Sequence, residues 1–145
     1  MKIIIEEPAE NAEDEIIIRC KELDEKMIRL IQGVKTNSGT VVAHDKNMTY
    51  MLEPDEVFYF ESVDNHVFIY CRDKVFESRQ KLYEIEEFFE NSMFFRASKS
   101  VILNVKKIKC LSPAFSGRFE AILKNGEKII ISRQYVGVLK EKLGI

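Results

Sequence analysis

The chain has 145 residues, of which 46% are hydrophobic and 32% are charged, and its net charge is −2 at pH 7. This length suffices for one hydrophobic core with an appendage, and the scarcity of Pro and Gly excludes a long low-complexity linker. No apolar run approaches the roughly 18 residues needed to cross a bilayer, and the early acidic residues exclude a signal peptide. We therefore expect a cytoplasmic protein with no membrane segment.

Charge is distributed unevenly along the chain. Residues 1–50 carry 7 basic and 10 acidic side chains, residues 51–90 carry 4 and 11, and residues 91–145 carry 11 and 3. The last third is therefore strongly basic, although the whole chain is weakly acidic. Because charges are screened beyond about 8–10 Å at cellular salt, a polyanion would be attracted to this part alone. The charge distribution by itself is explained equally well by a basic face that is solvated and binds no partner.

The cysteine and histidine content argues against a metal or redox centre. Cys20, Cys71 and Cys110 are widely spaced and form no Cys-x-x-Cys pair, so buried free thiols in a reducing compartment are expected. His44 and His66 stand far apart, and no zinc-type spacing can be drawn from them. We predict no metal site and no cofactor.

The first 39 residues predict a strand and a helix that form an appendage to the rest of the chain. A β-branched run over Lys2–Glu7 ends at Pro8 and predicts a strand. From Glu13 to Val34 apolar residues recur every three or four positions, which predicts an amphipathic helix. Its apolar stripe is wide. The stripe could cover the chain's own sheet, or it could also pair with a second subunit, which would make residues 1–39 a dimerisation element.

From residue 40 onward the pattern is that of short strands joined by tight turns. Alternating apolar and polar residues, bounded by Gly, Asn, Asp and Pro, predict a hairpin over residues 40–52 and an antiparallel meander over 56–78. Asn125-Gly126 is a strong hairpin signal. The expected elements are a turn at Thr36–Gly39, strands over 40–44, 48–52, 56–63, 66–71 and 75–78, a helix over 81–90, strands within 94–108, strands over 118–123 and 129–131, and a closing helix over 136–143.

Five features in this order resemble the LytTR family of bacterial DNA-binding domains. They are Phe58-Tyr59-Phe60-Glu61-Ser62, the helix from Leu82 to Phe89, the segment from Phe94 to Asn104 with Arg96, Ser98, Ser100 and Leu103, the Asn125-Gly126 turn, and Ser132-Arg133-x-Tyr135. The resemblance covers residues 40–145 and implies a mainly β fold of several antiparallel sheets with short flanking helices. It also implies a sequence-specific transcription regulator that reads major grooves of double-stranded DNA with loops and strand ends, at paired direct repeats.

The resemblance implies three places of base contact. His66 stands where a loop of the family contacts DNA, Lys99 lies at a base-contacting position, and Arg133 with Gln134 occupies the third. Gln134 replaces a second arginine that the family often carries, which leaves open which of these two residues reads a base. Ser98 replaces a common histidine.

Most relatives carry this domain behind a phosphoacceptor receiver domain. Residues 1–39 are too short to form one, so the chain is similar to the branch of the family that lacks a receiver. Its activity would then be set by its abundance or by another partner.

The side-chain chemistry agrees with the implied roles. Lys99 and Arg133 can donate to O6 and N7 of guanine, Gln134 can pair with adenine, and His66 can donate to a base or a phosphate. Other polar and basic residues suit phosphate contacts, which position a protein without reading sequence. These are Ser98, Ser100, Lys106, Lys107, Lys109, Arg118 and Lys128. The expected partners are double-stranded DNA and a second copy of the chain, held by the N-terminal helix or brought together on DNA.

Several residues of the same region are expected to be structural. Arg96 is expected to pair with an acid, and Asn104 to hydrogen-bond the backbone of the loop that follows it. Phe115 and Tyr135 are expected in the core, although either could stack near a sugar ring.

No catalytic centre is expected. The carboxylates fall on helix faces and the two histidines fall in separate turns, so neither a nucleophile with its base nor a pair of carboxylates can be assembled. The alternative to a DNA-binding regulator is a β-rich sensor module that binds a ligand or a protein in an aromatic-lined pocket and is indifferent to DNA.

Overall fold

The computed structural model describes residues 1–36 and 39–145 of the chain. Within these residues it contains three α-helices and ten strands. The helices are α1 (Glu25–Thr36), α2 (Leu82–Phe88) and α3 (Val136–Leu143). The strands are β1 (Val41–Asp45), β2 (Met48–Leu52), β3 (Val57–Val63), β4 (His66–Cys71), β5 (Val75–Ser78), β6 (Phe94–Arg96), β7 (Val101–Asn104), β8 (Ile108–Pro113), β9 (Phe119–Leu123) and β10 (Lys128–Ile131). The prediction of a mainly antiparallel β fold with short helices is confirmed.

The strands form two antiparallel sheets. Seven of them make a large sheet in the order β2-β1-β5-β4-β3-β7-β6, and β10, β9 and β8 make a small one. β3, β4 and β5 form the predicted meander, and β1 and β2 form the predicted hairpin, which joins the meander through β1 and β5. β3 lies between β4 and β7 and pairs with both. The small sheet contains the hairpin predicted at Asn125-Gly126, in which Gly126 adopts a φ of 90° between β9 and β10.

Two hydrophobic cores lie on opposite faces of the large sheet. Successive strand residues point to opposite faces, so along β7 Ile102 joins the first core and Leu103 joins the second. Ile85 of α2 covers the first core. The second core lies between the two sheets, and Leu139 of α3 closes it. The large sheet is therefore the middle layer of three.

Two stacked tyrosines of the large sheet lie on the face that packs against the small sheet. A bulge between Val57 and Tyr59 of β3 turns Tyr59 toward the second core, where its ring stacks on Tyr70 with a centroid distance of 4.3 Å and an interplanar angle of 10°. The Tyr70 hydroxyl donates to Oε1 of Glu61 at 3.2 Å. Burial raises the pKa of Tyr59, and the carboxylate of Glu127 in the small sheet raises it further.

Arg96 and Asn104 have the structural roles that the sequence predicts. Asn104 is fully buried at the end of β7. Its Nδ2 donates to the carbonyl of Val57 at 2.9 Å, and its Oδ1 accepts from the backbone N–H of Lys106 at 3.0 Å. Arg96 donates through Nε to Oε2 of Glu86 on α2 at 2.9 Å. These contacts fix both ends of the β6–β7 hairpin against the rest of the large sheet.

The N-terminal prediction is only partly correct. Residues 1–24 contain no strand. The exposed run Lys2–Glu7 finds no partner strand among the described residues, and without one its backbone N–H and C=O groups make no inter-strand hydrogen bonds. The helix begins at Glu25 rather than Glu13. Asp24 sets this start, since its Oδ1 accepts from the backbone N–H of Met27 at 2.9 Å in the manner of an N-cap.

Three further expectations have mixed outcomes. The predicted turn at Thr36–Gly39 includes Asn37 and Ser38, which lie outside the described residues. Cys71 is half-buried, and burial raises the pKa of its thiol to about 11. Cys20 and Cys110 are exposed, so the prediction of buried thiols is wrong for these two.

Among the described residues, no helix has the length and apolar content to traverse a lipid bilayer.

Candidate nucleic-acid interface

Four loops meet at one end of the two sheets, which we call the loop end. It consists of the turn Asp64–Asn65 and residues 97–100, 114–118 and 132–134. The strand registers bring these loops together: Glu61 of β3 pairs with Val101 of β7, and Ile131 of β10 pairs with Phe119 of β9. The loops that adjoin these paired positions therefore emerge on the same side.

The loop at residues 97–100 is a tight connection between β6 and β7. The backbone N–H groups of Ala97 and Ser98 donate to the carbonyl of Val101 at 2.9 and 3.3 Å, and the N–H of Ser100 donates to Oγ of Ser98 at 3.3 Å. Lys99 at the apex is exposed. The two serines thus shape the loop, and the lysine is presented to solvent.

The loop at residues 132–134 lies directly beside the Lys99 loop. The backbone N–H of Ser132 donates to the carbonyl of Ala97 at 2.8 Å and so ties the small sheet to the large one. Between the two loops is an open groove of about 420 Å³, lined by Ser98, Lys99, Ser100, Ser132, Arg133 and Gln134. Two of the three predicted base-contacting places therefore share one groove.

The third place, His66, is also at the loop end but outside that groove. It follows the turn Asp64–Asn65, in which both residues have positive φ, 50° and 65°, as type I′ hairpin turns require. Its side chain is 70% exposed, with Nδ1 at 3.9 Å from Oε1 of Glu77. β4 is two strands from β7, so His66 is displaced by about 10 Å from the Lys99 loop. That displacement is comparable to the width of a major groove, about 12 Å.

The loop at residues 114–118 contains a turn that Ser116-Gly117 predicts, but its position beside Arg133 was not predicted. A Cβ atom at Gly117 would lie 2.8 Å from Cδ of Arg133, so this loop touches the stem of a predicted base-contacting side chain. Phe115 within it is 88% exposed, and the prediction that it lies in the core is wrong. Ser116-Gly117 signals a turn in the sequence, but nothing local in the sequence brings that turn to Arg133. Tyr135 is half-buried against the second core.

The predicted phosphate-contacting residues fall into two groups. Ser98, Ser100 and Arg118 are at the loop end. Lys106 and Lys107 follow the far end of β7, and Lys109 and Lys128 are near the far ends of β8 and β10.

Several of the far lysines contact protein groups. Lys106 Nζ is 3.9 Å from Oδ1 of Asp55, and Lys128 Nζ is 3.6 Å from Oε1 of Glu120. Lys107 Nζ lies 5.1 Å from the ring centroid of Phe58. The basic last third of the chain therefore does not form a single basic face.

Comparisons with known proteins identify the domain. Residues 47–144 match the family model described as the LytTr DNA-binding domain. A LytTr DNA-binding domain from Bacillus cereus has a similar structure, with a TM-score of 0.68 and 24% identity over 73% of this chain and 97% of that one.

Two relatives differ in how much of their length they share with this chain. The sensory transduction protein LytT of Enterococcus faecalis is 29% identical over 114 residues, which are 79% of this chain and 46% of LytT. The chain thus spans less than half of that relative. A Staphylococcus aureus protein described as an uncharacterized HTH-type transcriptional regulator is 26% identical over 147 residues, 100% of this chain and 99% of that protein. With the family model matched over most of its length, this chain belongs to the LytTR family of DNA-binding domains.

Proposed function

We propose that this chain is a cytoplasmic, sequence-specific transcription regulator that reads double-stranded DNA with its loop end. The observation that carries the proposal is the shared groove in which Lys99, Arg133 and Gln134 lie together. Loops fixed by main-chain hydrogen bonds hold these side chains at a set spacing, which is what a contact with consecutive base pairs requires.

Each proposed reader has a distinct chemistry. Lys99 and Arg133 are donors that suit O6 and N7 of guanine, and Gln134 suits the N6 and N7 edge of adenine. His66, displaced by two strands, can contact a neighbouring base or phosphate of the same duplex. We place these contacts in the major groove, because only there does each base pair present a distinct pattern of donors and acceptors.

Backbone contacts follow the same geometry. Ser98, Ser100 and Arg118 are close to the groove, and we assign them to the phosphates that flank the bases being read. Lys106, Lys107, Lys109 and Lys128 lie at the opposite end of the sheets. At that distance their charges are largely screened from DNA bound at the loop end, so we propose that they contribute little to its affinity.

We further propose that the regulator acts as a homodimer on paired direct repeats, with α1 joining the subunits. Among the described residues, α1 packs extensively against neither sheet. It nevertheless carries the exposed apolar side chains Leu30 and Val34, which are four residues apart and therefore lie on one face of the helix. The full-length match to the S. aureus protein includes this segment. A second copy of α1 would cover these side chains in the way that amphipathic helices pair.

The proposal predicts that Lys99→Ala relaxes sequence preference. We expect a loss of about 1–3 kcal/mol on a site selected in vitro by the wild type, because a base contact disappears. Binding to unrelated duplexes should change little. Fluorescence anisotropy with selected and scrambled duplexes, repeated over a range of salt concentrations, measures both quantities.

Lys106→Ala is the matched control, since it removes one exposed lysine from the opposite end. It should change affinity for selected and scrambled duplexes by the same small factor. The wild-type affinity should fall with salt at a log–log slope of about −0.9 per phosphate contact. A wild type that binds all duplexes equally, or two variants with the same specificity profile, would refute the assignment of Lys99 as a reader.

A further inference from the structure

The loop at residues 114–118 has a closed and constrained backbone. The N–H of Ala114 donates to the carbonyl of Arg118 at 2.8 Å, and Ser116 and Gly117 both have positive φ, 62° and 76°. A serine in this conformation is uncommon, because Cβ crowds the backbone there. The result is a tight turn that holds Phe115 in one place at the tip of the loop.

The phenyl ring of Phe115 has no protein partner that would bury it. At 88% it is the most exposed large apolar side chain in residues 39–145, and Phe119, four residues later, packs against the second core. Single exposed apolar residues are common on protein surfaces, so the exposure of Phe115 does not by itself indicate a function. Its location is more informative, because the same turn contacts the side chain of Arg133 through Gly117.

At this location Phe115 offers an apolar contact, which the proposed base-contacting residues do not. Lys99, Arg133 and Gln134 can recognise hydrogen-bonding atoms on base edges. Thymine differs from every other unmodified base in the major groove by its 5-methyl group, which only an apolar surface recognises favourably. The phenyl ring of Phe115, exposed in the turn that contacts the Arg133 side chain through Gly117, is such a surface.

We propose that Phe115 is a further specificity-determining residue, whose ring packs on the 5-methyl group of a thymine adjacent to the base pair contacted by Arg133. This inference rests on the proposed function, since it requires that the loop end enters a major groove. It adds a fourth loop to the DNA contact and predicts a thymine at a defined position of the target site. Packing on the methyl group would bury part of the ring and compensate for its exposure in the free protein.

The test compares thymine with deoxyuridine, which differs only by the missing methyl group. Each thymine of an in vitro selected duplex is replaced in turn, and affinities are measured for the wild type and for Phe115→Ala. At one position the wild type should lose about three- to fivefold, the effect of uncovering one methyl group. Phe115→Ala should bind the thymine duplex several-fold more weakly and should be insensitive to the replacement at that position.

Two controls make the outcome specific. Phe115→Leu keeps an apolar side chain and should retain part of the discrimination. Met51→Ala removes an apolar side chain that is 67% exposed on β2, at the far edge of the large sheet, and should bind as the wild type does. If Phe115→Ala weakens thymine and deoxyuridine duplexes equally, the ring contacts the backbone and the inference is wrong. It is also wrong if Phe115→Ala binds as the wild type does while Lys99→Ala still loses specificity, a result that would leave the proposed function intact.

Discussion

At the scale of single residues, Asn104 shows how a buried polar side chain can support a distant interface. It links β7 to the start of β3 and to the turn that follows β7, through one donated and one accepted hydrogen bond. β7 begins immediately after the Lys99 loop. A side chain at one end of this short strand therefore keeps the loop at the other end in position.

Asn104→Ala should destabilise the protein by about 2–3 kcal/mol, because it leaves the buried carbonyl of Val57 and the N–H of Lys106 without their partners. Urea unfolding followed by circular dichroism measures this free energy. The control is Asn125→Ala, which removes an amide that accepts a single exposed hydrogen bond from the N–H of Glu127 at 3.1 Å and should cost less than about 1 kcal/mol. Equal losses for the two variants would show that burial of Asn104 contributes nothing.

Residue roles were predictable from the sequence where the chemistry is local. Asn104 lies at the end of an apolar strand just before a polar turn, a setting in which an amide commonly bonds the backbone. Phe115 was misassigned, because an aromatic residue is usually buried, and its exposure depends on the conformation of Ser116 and Gly117. Lys99 precedes β7 and Lys106 follows it, so the two lysines lie at opposite ends of the strand. A count of charges along the sequence does not show this separation.

At the scale of elements, the candidate interface is made of loops and of single 3-10 turns at Phe115–Gly117 and Arg133–Tyr135, and not of α-helices. Within the described residues no two α-helices follow each other directly in the chain: five strands separate α1 from α2, and five more separate α2 from α3. A helix-turn-helix unit would need consecutive helices. The positions of the connecting loops therefore determine what the domain can contact.

Gly117 and Gly126 offer a matched test of loop placement. Both have positive φ, 76° and 90°, so alanine at either position should cost about 1 kcal/mol. Only at Gly117 would the new Cβ meet Arg133, at 2.8 Å from Cδ, whereas nothing lies within 4 Å at Gly126. Gly117→Ala should therefore displace Arg133 and reduce affinity for a selected duplex, whereas Gly126→Ala should be destabilised but bind normally. Thermal unfolding and anisotropy together separate the two effects, and similar DNA affinities for both variants would contradict a positional role for Gly117.

Elements were predictable where the signal is short-range. The meander follows from alternating apolar and polar residues, the hairpin from Asn125-Gly126, and α3 from apolar residues three or four positions apart. Each of these signals lies within a few residues of the chain. The Lys2–Glu7 run has the same composition as a strand but lacks a partner, and pairing is a non-local property. The late start of α1 reflects a single cap at Asp24, which outweighs the apolar periodicity upstream of it.

At the scale of the whole molecule, the N-terminal segment and the folded domain have different exposures. Within residues 1–36, most described side chains are exposed, including Ile3, Ile5 and Leu23. The domain that follows buries two cores. A segment this apolar is expected to find a partner, which we have proposed to be a second copy of the chain.

The dimer is testable with one substitution. Leu30→Asp places a charge on the exposed apolar stripe of α1 and should convert a dimer to a monomer at micromolar concentration, because a carboxylate resists burial in an apolar contact. Tyr83→Asp, on the exposed side of α2, is the control and should leave the sedimentation coefficient unchanged. Sedimentation velocity measures both, and a monomeric wild type would exclude pairing through α1 in the absence of DNA.

The hydrogen bond from Ser132 to Ala97 has a consequence for how such a protein can acquire new targets. It fixes the frame of two loops through main-chain atoms alone, so the identities of the side chains at 99, 133 and 134 are free to vary without rebuilding that frame. Exchanging those three side chains should therefore shift the preferred DNA sequence without loss of stability, and a library randomised at these positions is a natural starting point for engineering altered regulators.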